Sequence, residues 1–511
     1  MNRPANDTEK NESRTTDIKA NSSSEELSTG SPCPPKIGFL ERLRNYENAL
    51  DRKLGVEAHS IQRQLPENRN PFYAGWSGQL SMFAFWMGGC MNLSSFATGF
   101  LGWELGLDLR QSILVIVFGG LAGSMITGWC ATMGPPTGRY SLGWYPAKVI
   151  AIFNVVQEIG WCACGSITGG QALSAFSGGK VGTDIGVIIC TVISFVFSFF
   201  GLTACYRFAK YTWFIFAAIF LVMLAETARF GDLTSPPSAQ GATGSGALLT
   251  FLSIMYGSSA SCAGYASDFY VEYPVNISKL TVFLLTSAGF YLATTICAIS
   301  GAVIASALPN NKQWNEQYNA GIGFLIQTAV HPYALAQIML FLLMFTAVGL
   351  SCGSMYSASL SIQLSTQKLA VVPRFIWTVI CFAAVVALSL AGSDRLLVFL
   401  QDFLSLLGYY ATAVFVCLVT EHYLFRRGSF DNYDLEAWDK PDKLPVGYAG
   451  GLALICGLVG AVLGMATTWY TGVVAKLIGD FGGDVGNELC FLLTLIVYIP
   501  ARSREVRLLG R

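Results

Sequence analysis

Charge is what this sequence has least of. Of its 511 residues, 13% are Asp, Glu, Lys or Arg, against 53% hydrophobic, whereas a soluble chain carries about 25% charged residues. A water-soluble globular protein is excluded on that ground. The 32 basic and 32 acidic residues cancel, so no basic surface invites nucleic acid. Histidine is nearly absent: His59, His331 and His422 are far apart in sequence. With no Ser-centred nucleophile elbow either, an integral-membrane enzyme is disfavoured. The 14 cysteines are scattered, mostly inside apolar runs (Cys130, Cys162, Cys164, Cys190, Cys297, Cys381, Cys417), without CxxC pairs. Cysteine in an apolar helix behaves as a small hydrophobe, so no disulfide framework, metal site or cofactor is expected. The chain opens without a charged stretch followed by a short apolar one, so no cleaved signal peptide is expected.

What the sequence has in abundance is long apolar runs. They predict an all-α polytopic membrane protein of about twelve helices, each long enough for a bilayer core of about 30 Å. The spans read 77–101, 111–133, 147–171, 184–204, 209–227, 246–268, 279–307, 332–361, 373–391, 396–424, 447–470 and 486–501. An even number puts both ends on one side. That side collects Arg139, Lys148, Arg207, Lys210, Lys279, Lys368, Arg374, Arg426, Arg427 and the C-terminal arginines, so both termini are expected in the cytosol. Residues 1–72 form a polar cytosolic tail too hydrophilic for a core. Within it Phe39, Leu40, Leu43, Tyr46, Leu50 and Leu54 recur at helical spacing, predicting an amphipathic helix near 38–54. A ten-helix core (73–425), a cytosolic loop (426–446), two accessory spans (447–501) and a tail (502–511) follow.

Two spans carry interruptions. The first reads Trp86-Met87-Gly88-Gly89-Cys90-Met91-Asn92 at its middle. The sixth reads Tyr256-Gly257-Ser258-Ser259-Ala260-Ser261-Cys262-Ala263-Gly264-Tyr265, closed by Asp268. Small residues also serve close helix packing. Breaks five spans apart, however, are the pattern of two inverted five-helix repeats, about 73–228 and 246–425, meeting at a midplane binding site.

Glu158 is the sharpest local signal, deep in the third span. Spacing of three or four places Asn154, Glu158, Trp161, Gly165 and Thr168 on one helix face. An ionised carboxylate at the bilayer centre costs roughly 2.5–3.5 kcal/mol on insertion scales. Three readings stay open: a protonated acid bonded inside the bundle, a carrier of the coupling proton, or a ligand for a cationic substrate group. Trp161 offers a flat face for stacking a ring. Ser258, Ser259, Ser351 and Ser354 suit a heterocycle edge and equally suit packing. Asp268 and Asp402 are candidates for coupling or gating, while Glu104, Glu226 and Glu421 at span ends are expected to be solvated.

The chain resembles the fungal purine–cytosine permeases of the nucleobase–cation symporter-1 family, from Gly55 onward. The resemblance rests on Gly99-Phe100-Leu101-Gly102 with Gln111-Ser112-Ile113-Leu114, Arg139-Tyr140, Gly160-Trp161, Tyr265-Ala266-Ser267-Asp268-Phe269, Ser359-Leu360-Ser361-Ile362-Gln363, Val372-Pro373-Arg374, Gly408-Tyr409-Tyr410, Glu421-His422 with Arg426-Arg427, and Ile478 through Gly486. It implies a LeuT-type fold with two discontinuous helices, and proton-coupled uptake of a nucleobase-like heterocycle at the plasma membrane. It also implies substrate contacts at positions where this chain departs: Gly88 in place of a small hydroxyl residue, Gly165 in place of asparagine, Cys262 in place of tryptophan, and Leu350-Ser351-Cys352-Gly353-Ser354 in place of an asparagine-rich run. A short segment usual between Gly138 and Arg139 is missing. The departures leave two further readings: a permease for a vitamin or specialised metabolite such as a pyridoxine-like or amine compound, and a transport-dead solute sensor.

Overall fold

The computed structural model describes residues 69–510 except 135–136, 200, 272, 367–368, 370 and 439, together with 42–43 and 67. Apart from Arg42 and Leu43, the helix expected near 38–54 lies outside the described residues. Described secondary structure is helical save for one isolated bridge between Ala466 and Thr471.

The first span consists of Trp76–Cys90, Leu93–Thr98 and Phe100–Glu104. The second is Leu109–Ala131, the third Trp144–Phe176, the fourth Thr183–Ser198 and the fifth Gly201–Thr227. The sixth runs Gly241–Ala260 and continues as two 3-10 turns, Ser261–Gly264 and Ala266–Tyr270. Then come Lys279–Ala307, Tyr333–Ser365, Arg374–Gly392, Leu396–Thr420 with a π-helical turn Glu421–Phe425, Tyr448–Gly464 and Gly486–Leu509. Seven helical stretches among the described residues are long and apolar enough to cross a membrane, and Arg374–Phe425 among them holds two spans.

Both interruptions are present but sit later than the small residues suggest. Gly88 and Gly89 remain helical to Cys90, and the chain turns out at Asn92 (φ −145°, ψ 166°), whose side chain accepts from Ser95 N at 2.9 Å. A capping side chain that satisfies the new helix start thus makes the break. In the sixth span Tyr256–Ala260 are still helical, and the regular helix stops at Ser261.

The packing pattern repeats with the roles exchanged. The first span packs on the seventh as the sixth packs on the second, and the first on the fifth as the sixth on the tenth. The fourth packs on the eighth as the ninth packs on the third, and the third and eighth pair directly. Glycines hold equivalent contacts: a Cβ on Gly88 would stand 2.6 Å from Ala209 O, and one on Gly257 2.0 Å from Leu404 O. Only a missing side chain lets these helix backbones touch.

On the side where the chain ends, the twelfth helix continues through the stretch expected as a tail, and Arg502 is 1% exposed. Glu421, expected to be solvated, is fully buried instead. It accepts from Arg502 Nε at 2.9 Å and Nη2 at 3.0 Å, from Arg426 Nε at 3.0 Å and from Tyr498 OH at 3.2 Å. Arg502 also reaches Glu505, which receives the backbone N–H groups of Gly447 and Tyr448. The twelfth helix folds back over the tenth, and that covers a residue its sequence position leaves at a span end.

Candidate functional site

A cavity of about 90 Å³, open on one side, lies where the two interruptions meet. The first span contributes Phe85, Trp86, Gly88, Gly89, Cys90, Asn92 and Ser95. Glu158 and Trp161 come from the third span, and Phe208 and Ala209 from the fifth. The sixth adds Ser258, Cys262, Tyr265 and Phe269, the seventh Phe290 and Thr294, and the eighth Gly349, Leu350, Gly353, Ser354 and Ser357. A mainly apolar, aromatic lining with a few convergent polar groups is the character of a small-molecule site.

Glu158 is 1% exposed. Its Oε1 has no hydrogen-bond partner among the described residues, and the hydroxyls of Ser354 and Tyr265 are the polar groups acting on its carboxyl. Trp161, one turn on, meets the Phe403 ring edge to face at 5.6 Å, and its Nε1 also lacks a partner among the described residues. Tyr265 OH lies 3.1 Å from Cys262 Sγ. Trp86 donates its Nε1–H to Tyr270 OH at 2.6 Å, and that hydroxyl pairs with Thr286 at 2.6 Å. The Trp86 indole therefore offers the cavity only its ring. Phe85 stacks obliquely on Phe269 at 4.7 Å, and Trp86 on Phe290 at 5.2 Å.

The structure places Glu158, Trp161, Ser258, Cys262, Ser354 and Gly88 around this cavity, although Gly88 turns its missing side chain toward Ala209. Gly165 and Ser351 lie elsewhere. A Cβ on Gly165 would be 3.0 Å from Ser351 Oγ, and Ser351 faces the Cys162 carbonyl at 3.5 Å. Both are buried in the seam between the third and eighth spans, which closes one turn above Trp161. Asp402 is drawn away too, accepting from Thr468 N at 2.7 Å and Thr468 Oγ1 at 2.5 Å in the connection between the last two spans. Asp268 lies outside the lining but next to Phe269, exposed, with no partner for its carboxylate among the described residues. Tyr265, Phe269, Phe85, Phe208, Phe290 and Asn92 went unselected. For Tyr265 and Phe269 a signal existed: two aromatics four apart directly after a run of small residues.

A family profile described as permease for cytosine/purines, uracil, thiamine and allantoin matches residues 76–486. The chain belongs to this family. The permease is therefore a multi-pass transporter for purines, cytosine or related heterocycles, and not an enzyme. It is 29% identical to the purine-cytosine permease FCY21 of Saccharomyces cerevisiae, over 93% of its own length and 91% of that protein. It is 27% identical to the vitamin B6 transporter TPN1 of the same yeast, over 93% and 92%. Among solved structures it is similar to Mhp1, a nucleobase-cation-symport-1 family transporter, closed with bromovinylhydantoin bound. That similarity has a TM-score of 0.63 at 17% identity, over 88% of this permease and 97% of that chain. The inward-facing conformation of Mhp1 gives 0.58 at 16%, over 89% and 96%. These likenesses establish the LeuT-type inverted-repeat fold.

Proposed function

We propose that this permease imports a nitrogen heterocycle across the plasma membrane by alternating access, driven by the inward proton gradient, with both termini in the cytosol. The observation that carries the reading is the cavity at the two interrupted spans, where Trp161 and six further aromatic residues line the space around a buried carboxylate whose Oε1 has no hydrogen-bond partner among the described residues. The ring of the substrate stacks on Trp161, and its edge meets Ser258, Cys262 and Ser354. Asp268, next in sequence to Phe269 of the lining, serves as a gate residue. The excess of basic residues on the terminal side supports the orientation.

A vitamin-type cargo is the second reading. It is favoured by the 27% identity to a vitamin B6 transporter and by Cys262 at the cavity, whose thiol is a weaker polar edge than a nucleobase would use. Uptake competition decides between them, with labelled nucleobases, nucleosides, pyridoxine and small amines in cells lacking endogenous permeases. Uptake is expected to rise as external pH falls toward about 5 and to collapse with a protonophore, because an electrochemical proton gradient supplies the work. Sodium-dependent, protonophore-insensitive uptake would overturn proton coupling. Binding without accumulation would mark a sensor.

A further inference from the structure

Resting on the transport reading above, we infer that the substrate binds as a cation, with a protonated nitrogen on Glu158 and its ring held between aromatic walls. Among the described residues, Glu158 is the only Asp, Glu, Lys, Arg or His lining the cavity. It is 1% exposed, and its Oε1 has no hydrogen-bond partner among the described residues.

An ionised carboxylate accepts about four hydrogen bonds, and the hydroxyls of Ser354 and Tyr265 can donate one each. Acceptor capacity therefore remains for a ligand. Compare Glu421, equally buried, where two arginines and a tyrosine fill that capacity. A buried carboxylate left without such a complement is costly. A ligand bearing N–H donors and positive charge supplies counter-charge and hydrogen bonds at once.

The rest of the wall suits the same species. Phe85, Trp86, Phe269 and Phe290 form a continuous aromatic surface. Because the Trp86 N–H is spent on Tyr270, that surface presents rings and no donor. Aromatic faces attract cations. A neutral ring that offers carbonyl oxygens to Glu158 would instead oppose lone pairs to lone pairs.

The test uses the purified full-length permease and two ligands of nearly equal shape: benzamidinium, charged throughout pH 6–8, and neutral benzamide. The wild type is expected to bind benzamidinium at least tenfold more tightly. Glu158→Gln should erase that preference while still binding benzamide, and Glu158→Asp should keep it. Should Glu158→Gln fail to fold, the wild-type ratio and Glu158→Asp decide. Equal binding of the two, preference for benzamide, binding of neither, or a preference that survives Glu158→Gln overturns the inference. Heterocycle uptake without charge preference would remove it and leave the transport reading standing; absence of any uptake would remove that reading instead.

Discussion

Two glutamates in this permease are buried to the same degree and live in opposite circumstances. Glu421 has Arg426, Arg502 and Tyr498 on its oxygens, and Glu505 completes the cluster by holding the start of the eleventh span. Glu158 has two hydroxyl neighbours, an open cavity and a partnerless Oε1. Burial alone does not separate structure from function; satisfaction does. A saturated carboxylate has no capacity left for a ligand, whereas an unsaturated one keeps acceptor capacity that a ligand can use.

The comparison breaks first at its structural end. Glu421→Ala removes the main counter-charge of the buried Arg502 and leaves it Glu505 alone, so a stability loss of up to about 3–5 kcal/mol is expected. It would be seen as a large fall in the thermal midpoint of the purified permease or as loss of folded yield. Glu158→Ala should leave the midpoint nearly unchanged. Equal losses in both would remove the distinction.

Adjacent glycines extend it. Gly88→Ala drives a Cβ against the Ala209 backbone, and overpacking of this kind costs about 1–3 kcal/mol. Gly89→Ala meets open space, so it should fold normally and lower only the apparent affinity for substrate. Parallel thermal melts and uptake assays separate the two.

On the functional side, Glu158→Gln keeps shape and removes charge. Transport should fall tenfold or more, about 1.4 kcal/mol, with surface expression maintained. Normal transport from pH 5 to 8 would make Glu158 a structural residue. Trp161→Ala should abolish uptake and Trp161→Phe retain part of it. A stacked aromatic contributes on the order of 1 kcal/mol beyond its area, and the ring also orients the cargo. Smallest of all is Asp402→Asn, which keeps an acceptor for Thr468. Less than about 1 kcal/mol of stability and little transport should change, since that contact is partly solvated.

Among the site residues, Glu158 and Trp161 were legible because a charge or a large ring inside an apolar run stands out whatever surrounds it. Gly165 and Ser351 misled because their helix face is the correct one, yet the eighth span presses against the third above Trp161 and fills the space. Ser354, three residues beyond Ser351, looks into the cavity. Phe85 and Phe290 were invisible, since Phe in a transmembrane run is unremarkable until its neighbours are known.

By itself the sequence determined the spans, their number and the existence of two interruptions. Those follow from lipid excluding charge and unpaired backbone, which any window of residues records locally. Tertiary structure alone decided that Glu421 is locked by the returning twelfth helix while Glu158 is left open. Glu421 is satisfied by Arg502, 81 residues further on, and the hydroxyls near Glu158 come from the sixth and eighth spans; no local pattern carries such distances.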